Sequence, residues 1–118
     1  MQKPMFSACM QERRCLIPAS GYFEWKKVGK NKTKYYFHAP NGSLYFAGCW
    51  RSEPGGAAFV ILTRDAENGC EEVHDRMPVI IPHELVDEWL SGSASVMERA
   101  VTELIFEEED NGQQRLFD

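Results

Sequence analysis

The sequence predicts an α+β fold in which antiparallel strands dominate and helices are few and short. Aromatic and β-branched runs recur between turn signals, at Tyr22 to Val28, Lys34 to Ala39 and Ser43 to Trp50, as half-buried strands do. Asn41-Gly42, between two of these runs, is the strongest hairpin signal, because both residues tolerate the positive φ of a two-residue type I′ turn. His83 to Leu90 is the clearest helix, with Leu85, Val86, Trp89 and Leu90 on one stripe and Gly92 ending it.

The remaining elements follow in order. Met5 to Met10 is a helical or extended lead-in ended by the charged Gln11-Glu12-Arg13-Arg14, and a strand runs through Ile17. Pro18-Ala19-Ser20-Gly21 reads as a turn or bulge, and Gly29-Lys30-Asn31-Lys32 as a second turn. After the break at Glu53-Pro54-Gly55-Gly56, the apolar run from Ala57 to Thr63 suits a central strand covered on both faces. Arg64 to Val73 is polar and partly helical, and Met77 to Pro82 is a short strand bounded by prolines. Ser95 to Ala100 adds a helical turn, and Val101 to Phe106 alternates as a last strand. Residues 1–106 then form one domain, and residues 107–118 a flexible acidic tail, because blocks of like charge repel.

A chain of 118 residues with 43% hydrophobic content is long enough for one domain with its own core and too apolar for disorder. It contains neither a signal-peptide apolar region nor an apolar run near the ~20 residues that cross a bilayer. A cytoplasmic, non-membrane protein is expected, with Cys9, Cys15, Cys49 and Cys70 as free thiols. The net charge of −5 conceals a division: residues 1–52 hold nine Lys or Arg against two acids, and residues 53–118 hold four against sixteen. Lys26, Lys27, Lys30, Lys32 and Lys34 cluster around one turn between aromatic strands, either a solvated hairpin tip or a footprint for a phosphate backbone.

Glu24 lies between Phe23 and Trp25. Glutamate is depleted in strands and rarely buried without a partner. Strand alternation puts Tyr22, Glu24 and Lys26 on one face and Phe23 and Trp25 on the other. Glu24 is then either on a polar face in water or kept inside for chemistry. A second chemical group is His74-Asp75-Arg76-Met77-Pro78. Imidazole is suited to proton transfer near neutral pH, and a neighbouring arginine can hold a phosphate or an acid. Cys70 and His74, four residues apart, invite a thiol-nucleophile or metal reading. No second ligand pair has zinc spacing and no glycine loop cradles phosphate, so neither a metal nor a cofactor is expected.

Together, Arg14-Cys15-Leu16-Ile17-Pro18-Ala19-Ser20-Gly21-Tyr22-Phe23-Glu24-Trp25-Lys26, the run ending in Leu62-Thr63, and His74-Asp75-Arg76-Met77-Pro78 strongly resemble the SRAP family, named for SOS-response-associated peptidases. The resemblance covers about residues 3–91 and, more loosely, extends to Phe106. It implies a β-rich SRAP-like fold, mainly antiparallel with a few short helices, that senses abasic sites in single-stranded DNA in the service of DNA repair. It implies a covalent DNA-protein crosslink, a thiazolidine formed by a cysteine directly after the initiator methionine. On this resemblance Glu24 and His74 are the catalytic pair, Thr63 and Arg76 lie close to DNA, and Arg14 and Lys3 are further DNA contacts. The basic first half would supply the salt-sensitive part of single-strand binding.

The chain departs from the family at its start. Gln2 follows Met1 and all four cysteines are internal, so the nucleophile of the crosslink is absent and the chain reads as the carboxy-terminal portion of the domain. Such a portion is expected to expose sheet edge and to self-associate. Two other readings stand beside abasic-site processing: a non-catalytic single-stranded DNA-binding module, and a thiol peptidase using an internal cysteine with His74. Finally, Gln113, Leu116 and Phe117 resemble the short motif by which bacterial repair proteins bind the DNA sliding clamp, an extended peptide with two apolar anchors.

Overall fold

A computed structural model of the chain describes residues 13–40 and 42–109. Lys3, the Met5 to Met10 lead-in and the Gln113, Leu116 and Phe117 motif lie outside the described residues. Among the described residues eight strands form two three-stranded antiparallel sheets and a two-stranded ribbon. The first sheet is ordered β1 (Arg14–Ala19), β4 (Leu44–Glu53), β5 (Gly56–Ile61). The second is ordered β2 (Tyr22–Val28), β3 (Asn31–His38), β8 (Ile105–Glu108), and the ribbon is β6 (Thr63–Asp65) with β7 (Arg76–Pro78). Among the described residues one short helix, α1 (Val86–Leu90), follows a 3-10 turn at His83–Leu85. The α+β, predominantly antiparallel class is the one expected. No helix among the described residues is long and apolar enough to cross a membrane.

Strand β2 has the bounds its residues predict, and it pairs with β3 through a two-residue loop, Val28 opposite Asn31. Between β4 and β5 the loop is Pro54-Gly55, with Glu53 opposite Gly56. Proline presets φ at the first loop position, and Gly55 supplies the positive φ, 90°, that the second position of a type II turn requires. Gly21 is needed for a different reason: a Cβ there would lie 2.5 Å from the Phe37 carbonyl oxygen. Only hydrogen fits where the chain leaves β1 and enters β2.

Several expectations are corrected. Asn41 lies outside the described residues, but the strands before and after it, β3 and β4, do not pair as the expected hairpin, because β3 is already paired on both edges, with β2 and β8. The chain passes instead from one sheet to the other. Pro18 is inside β1, opposite Tyr45; β1 is an edge strand, where a missing N–H is tolerated. The Ala57 to Thr63 run is not central: β5 lies at the sheet edge, and Phe59 and Val60 are 61% and 49% exposed. Arg64 to Val73 is partly helical as expected, through the 3-10 turn at Cys70–Glu72, while its start continues β6, where Thr63 to Asp65 pairs with Arg76 to Pro78. That pairing moves the strand expected over Met77 to Pro82 back to Arg76. Glu107 and Glu108, expected in the tail, pair with Tyr36 and Tyr35 in β8. Cys15 and Cys70 are free thiols as expected, whereas Cys49 is disulfide-bonded.

Three apolar clusters hold these pieces together. Trp89 is fully buried among Ala47, Leu62, Val79, Ile81, Leu85 and Val96, and fastens α1 to the first sheet. Its indole N–H donates to the Cys15 carbonyl at 3.0 Å, so the ring is buried without an orphaned donor. Leu44, Phe46 and Ile80 form a second cluster. After β7 the chain runs along β4, with Ala47 N–H donating to Val79 O and Ile81 N–H to Tyr45 O, each at 2.8 Å. The third cluster, Phe37, Cys70, Val73 and Met77 with Tyr22 packed against it, joins the second sheet to the ribbon and positions the site.

Candidate functional site

Tyr22 and Val73 share that third cluster, and each precedes a chemical residue by a short, fixed step. Because strand side chains repeat every two residues, anchoring Tyr22 inward turns Glu24 to the same face. Anchoring Val73 places His74 at the cluster's rim. The consequence is a contact across 50 positions of sequence: His74 Nδ1 lies 3.9 Å from Glu24 Oε2.

The alternation expected for β2 holds, but the side facing the molecule is the carboxylate's. Phe23 and Trp25 are 47% and 46% exposed, while the Glu24 side chain is only 30% exposed. The aromatics have partners on that outer face. Phe23 tilts against Tyr36 at 5.0 Å between ring centroids, Tyr36 stacks on His38, and the Lys34 ammonium sits 4.2 Å from the Phe23 centroid. Lys34 also lies 5.7 Å from the Trp25 centroid, so one cation bridges two exposed rings.

Around His74 the polar groups are ordered. Its Nδ1 accepts the Arg76 backbone N–H at 3.2 Å, which in the neutral ring leaves the proton on Nε2. Asp75 Oδ1 lies 3.4 Å from the same Nδ1, so two carboxylates flank one side of the imidazole. Glu24 is steadied by its own strand, Trp25 N–H donating to Oε1 at 3.2 Å. Below them Tyr22 stacks on Phe37 at 4.9 Å. Burial first, then the neighbouring Cys70 and Glu24, push its phenol well above the ordinary range. The Cys70 thiol is also raised, chiefly by burial; an apolar, buried thiol is a poor nucleophile, which disfavours a Cys70-His74 peptidase pair.

The other expected site residues divide. Thr63 and Arg76 are brought together, the guanidinium donating through Nη2 to Thr63 Oγ1 at 3.0 Å and through Nη1 to Asp65 Oδ1 at 2.7 Å. Arg14 is elsewhere. Its Nη1 donates to the carbonyls of Trp89 (3.1 Å) and Ser93 (2.9 Å), and its guanidinium lies 4.1 Å from the Trp89 ring centroid. The Trp89 carbonyl lies in the last turn of α1, where a cation is favoured, and burial lowers the Arg14 pKa. Asp65 was not legible as a member of the site, since its place depends on the β6-β7 register. Among the described residues no group of three or more His, Cys, Asp or Glu could hold a metal ion.

A β-rich protein that folds back to set one carboxylate beside one imidazole at a sheet rim is the class these observations define. The chain belongs to the SRAP family, "SOS response associated peptidase", whose model matches residues 1–115. Abasic site processing protein YoaM of Bacillus subtilis is 33% identical over 97 residues, which are 76% of this chain and 43% of YoaM. Abasic site processing protein YedK of Escherichia coli is 34% identical over 91 residues, 73% of this chain and 41% of YedK. In fold alone, a crystal structure of a protein from Bacteroides thetaiotaomicron matches with a TM-score of 0.81 at 24% identity, across 97% of this chain and 56% of that one. The chain thus spans less than half the length of these curated relatives.

Proposed function

We propose that this chain carries the acid/base pair and part of the DNA surface of an abasic-site processing protein, with Glu24 and His74 acting on the deoxyribose of an abasic site in single-stranded DNA. The observation that carries the reading is the 3.9 Å approach of Glu24 to His74, because two proton-transfer groups from distant parts of the chain meet at one exposed rim. An abasic deoxyribose is a cyclic hemiacetal. Opening it needs a base to take the proton of the anomeric hydroxyl and an acid to protonate the ring oxygen as its bond to the anomeric carbon breaks. A carboxylate beside an imidazole can supply both roles. Apo contacts of this kind are often long and tighten on substrate.

The outer face of β2 and β3 supports single strands as the ligand. Exposed aromatics beside a lysine, here Phe23 and Trp25 with Lys34 and the half-buried Tyr36, are what unpaired bases stack on while cations follow the backbone. Arg76 and Thr63 are the phosphate contacts of this reading. The same reading puts the chain in the cytoplasm and assigns Gln113, Leu116 and Phe117 to the sliding clamp, a contact that deleting the last six residues would abolish. It also assigns self-association to the β5 edge with its exposed Phe59 and Val60, which Phe59→Lys would disperse in sedimentation.

On this reading the chain binds abasic single strands in preference to intact ones. The test compares oligonucleotides with and without one abasic site on native gels. A preference for the abasic strand is expected. Equal binding of both strands would leave the second reading, a single-stranded DNA-binding module without chemistry.

A further inference from the structure

Among the described residues Arg76 is the arginine that adjoins His74, and it is held by a residue the function has not yet used. Asp65 stands directly opposite Arg76 in the β6-β7 ribbon, and its carboxylate takes Nη1 at 2.7 Å while the Thr63 hydroxyl takes Nη2 at 3.0 Å. Two anchors on two different nitrogens fix the plane of a guanidinium, which a single contact does not. The remaining N–H donors stay available to a further acceptor. The same residue's backbone N–H fixes the His74 ring, so the orientation of Arg76 and that of the imidazole belong to one short segment.

We infer that Asp65 is a positioning residue, which holds the Arg76 guanidinium in the plane needed to take a DNA phosphate beside His74. The inference rests on the reading of Arg76 as a phosphate contact. The pair is exposed, the Asp65 side chain at 89% and Arg76 at 46%, and exposed pairs add little to folding. The geometry of the pair beside His74 is therefore better explained by orientation than by stability. Electrostatics alone argues the other way: an acid next to a phosphate site weakens binding. The two explanations predict opposite signs for one substitution.

The experiment measures the affinity of the full chain for a fluorescent single-stranded oligonucleotide with one abasic site, over a range of salt concentrations, for Asp65→Asn, Asp65→Glu and Arg76→Ala. Positioning predicts that Asp65→Asn weakens binding about fivefold despite removing a negative charge, with the melting temperature unchanged. Asp65→Glu should recover much of the loss, and Arg76→Ala should weaken binding and lower the salt slope by about one. Unchanged or tighter binding by Asp65→Asn, with Arg76→Ala still weak, would overturn the positioning role and leave the phosphate contact standing. If Arg76→Ala binds as the parent does, the phosphate contact itself fails and the inference with it. Should Asp65→Asn lower the melting temperature, its affinity measured well below that temperature decides: weakened binding by the folded chain supports positioning, and full binding overturns it.

Discussion

Arg14 and Arg76 look alike in the sequence, each a basic residue in a family motif, yet their surroundings differ. Arg14 lies against the Trp89 ring and donates to the carbonyls of Trp89 and Ser93. Arg76 stands on a two-stranded ribbon with its guanidinium held by side chains and next to His74. The difference teaches that an arginine committed to backbone carbonyls is a fastening, and one held by flexible polar side chains at a rim can exchange or share its partners with a ligand.

The comparison sets an order of expected effects. Trp89→Ala should cost about 3–5 kcal/mol of folding stability, measured by denaturant unfolding, because it empties the cluster around the first sheet. A loss below about 1 kcal/mol would mean that this region is not the fastening point. Gly21→Ala should cost about 1–3 kcal/mol, since the new methyl meets the Phe37 carbonyl; a normal melt would show that the turn can yield. Arg14→Ala should cost about 1–2 kcal/mol by leaving the Trp89 and Ser93 carbonyls without this donor. It should leave the DNA affinity of the folded fraction intact. Arg76→Ala should show the reverse, a stability change within about 0.5 kcal/mol with weakened DNA binding. If Arg14→Ala weakened DNA binding as much, the distinction between the regions would be lost.

The smallest effect concerns pH. Tyr22 and Cys70 have folded pKa values raised above their ordinary values of 10.0 and 9.0. In the unfolded chain they ionise first, so the folded state holds the extra protons and their stabilising contribution is complete below those values. It is lost as pH rises past the ordinary thiol value and toward the raised folded ones. The melting temperature should fall above about pH 9, and Tyr22→Phe should blunt the fall. A melt equally pH-sensitive in Tyr22→Phe and Cys70→Ala would place the effect elsewhere.

Much of this was legible locally. Tyr22 to Val28 alternates and ends at glycine, and its strand has those bounds. Glu24 and His74 stood out as polar residues in apolar or motif contexts, and they meet. What was not legible depends on which strand takes which edge. Asn41-Gly42 has hairpin chemistry, but β8 arrives from 67 positions beyond β3 to occupy the edge a hairpin partner would use. The direction in which β2 faces was equally hidden, since alternation gives two faces and only the cluster under Tyr22 selects the inner one. Asp65 escaped notice because its pairing with Arg76 exists only in the ribbon.

The central claim is that Glu24 and His74 act as one unit on an abasic site. The most direct measurement is a double-mutant cycle on the ratio of affinities for abasic and intact single strands, using Glu24→Gln, His74→Asn and the pair together. The account predicts that the parent favours the abasic strand, that either substitution removes most of that preference, and that the double variant loses little more than each single one. Additive losses, or a parent ratio of one, would contradict it.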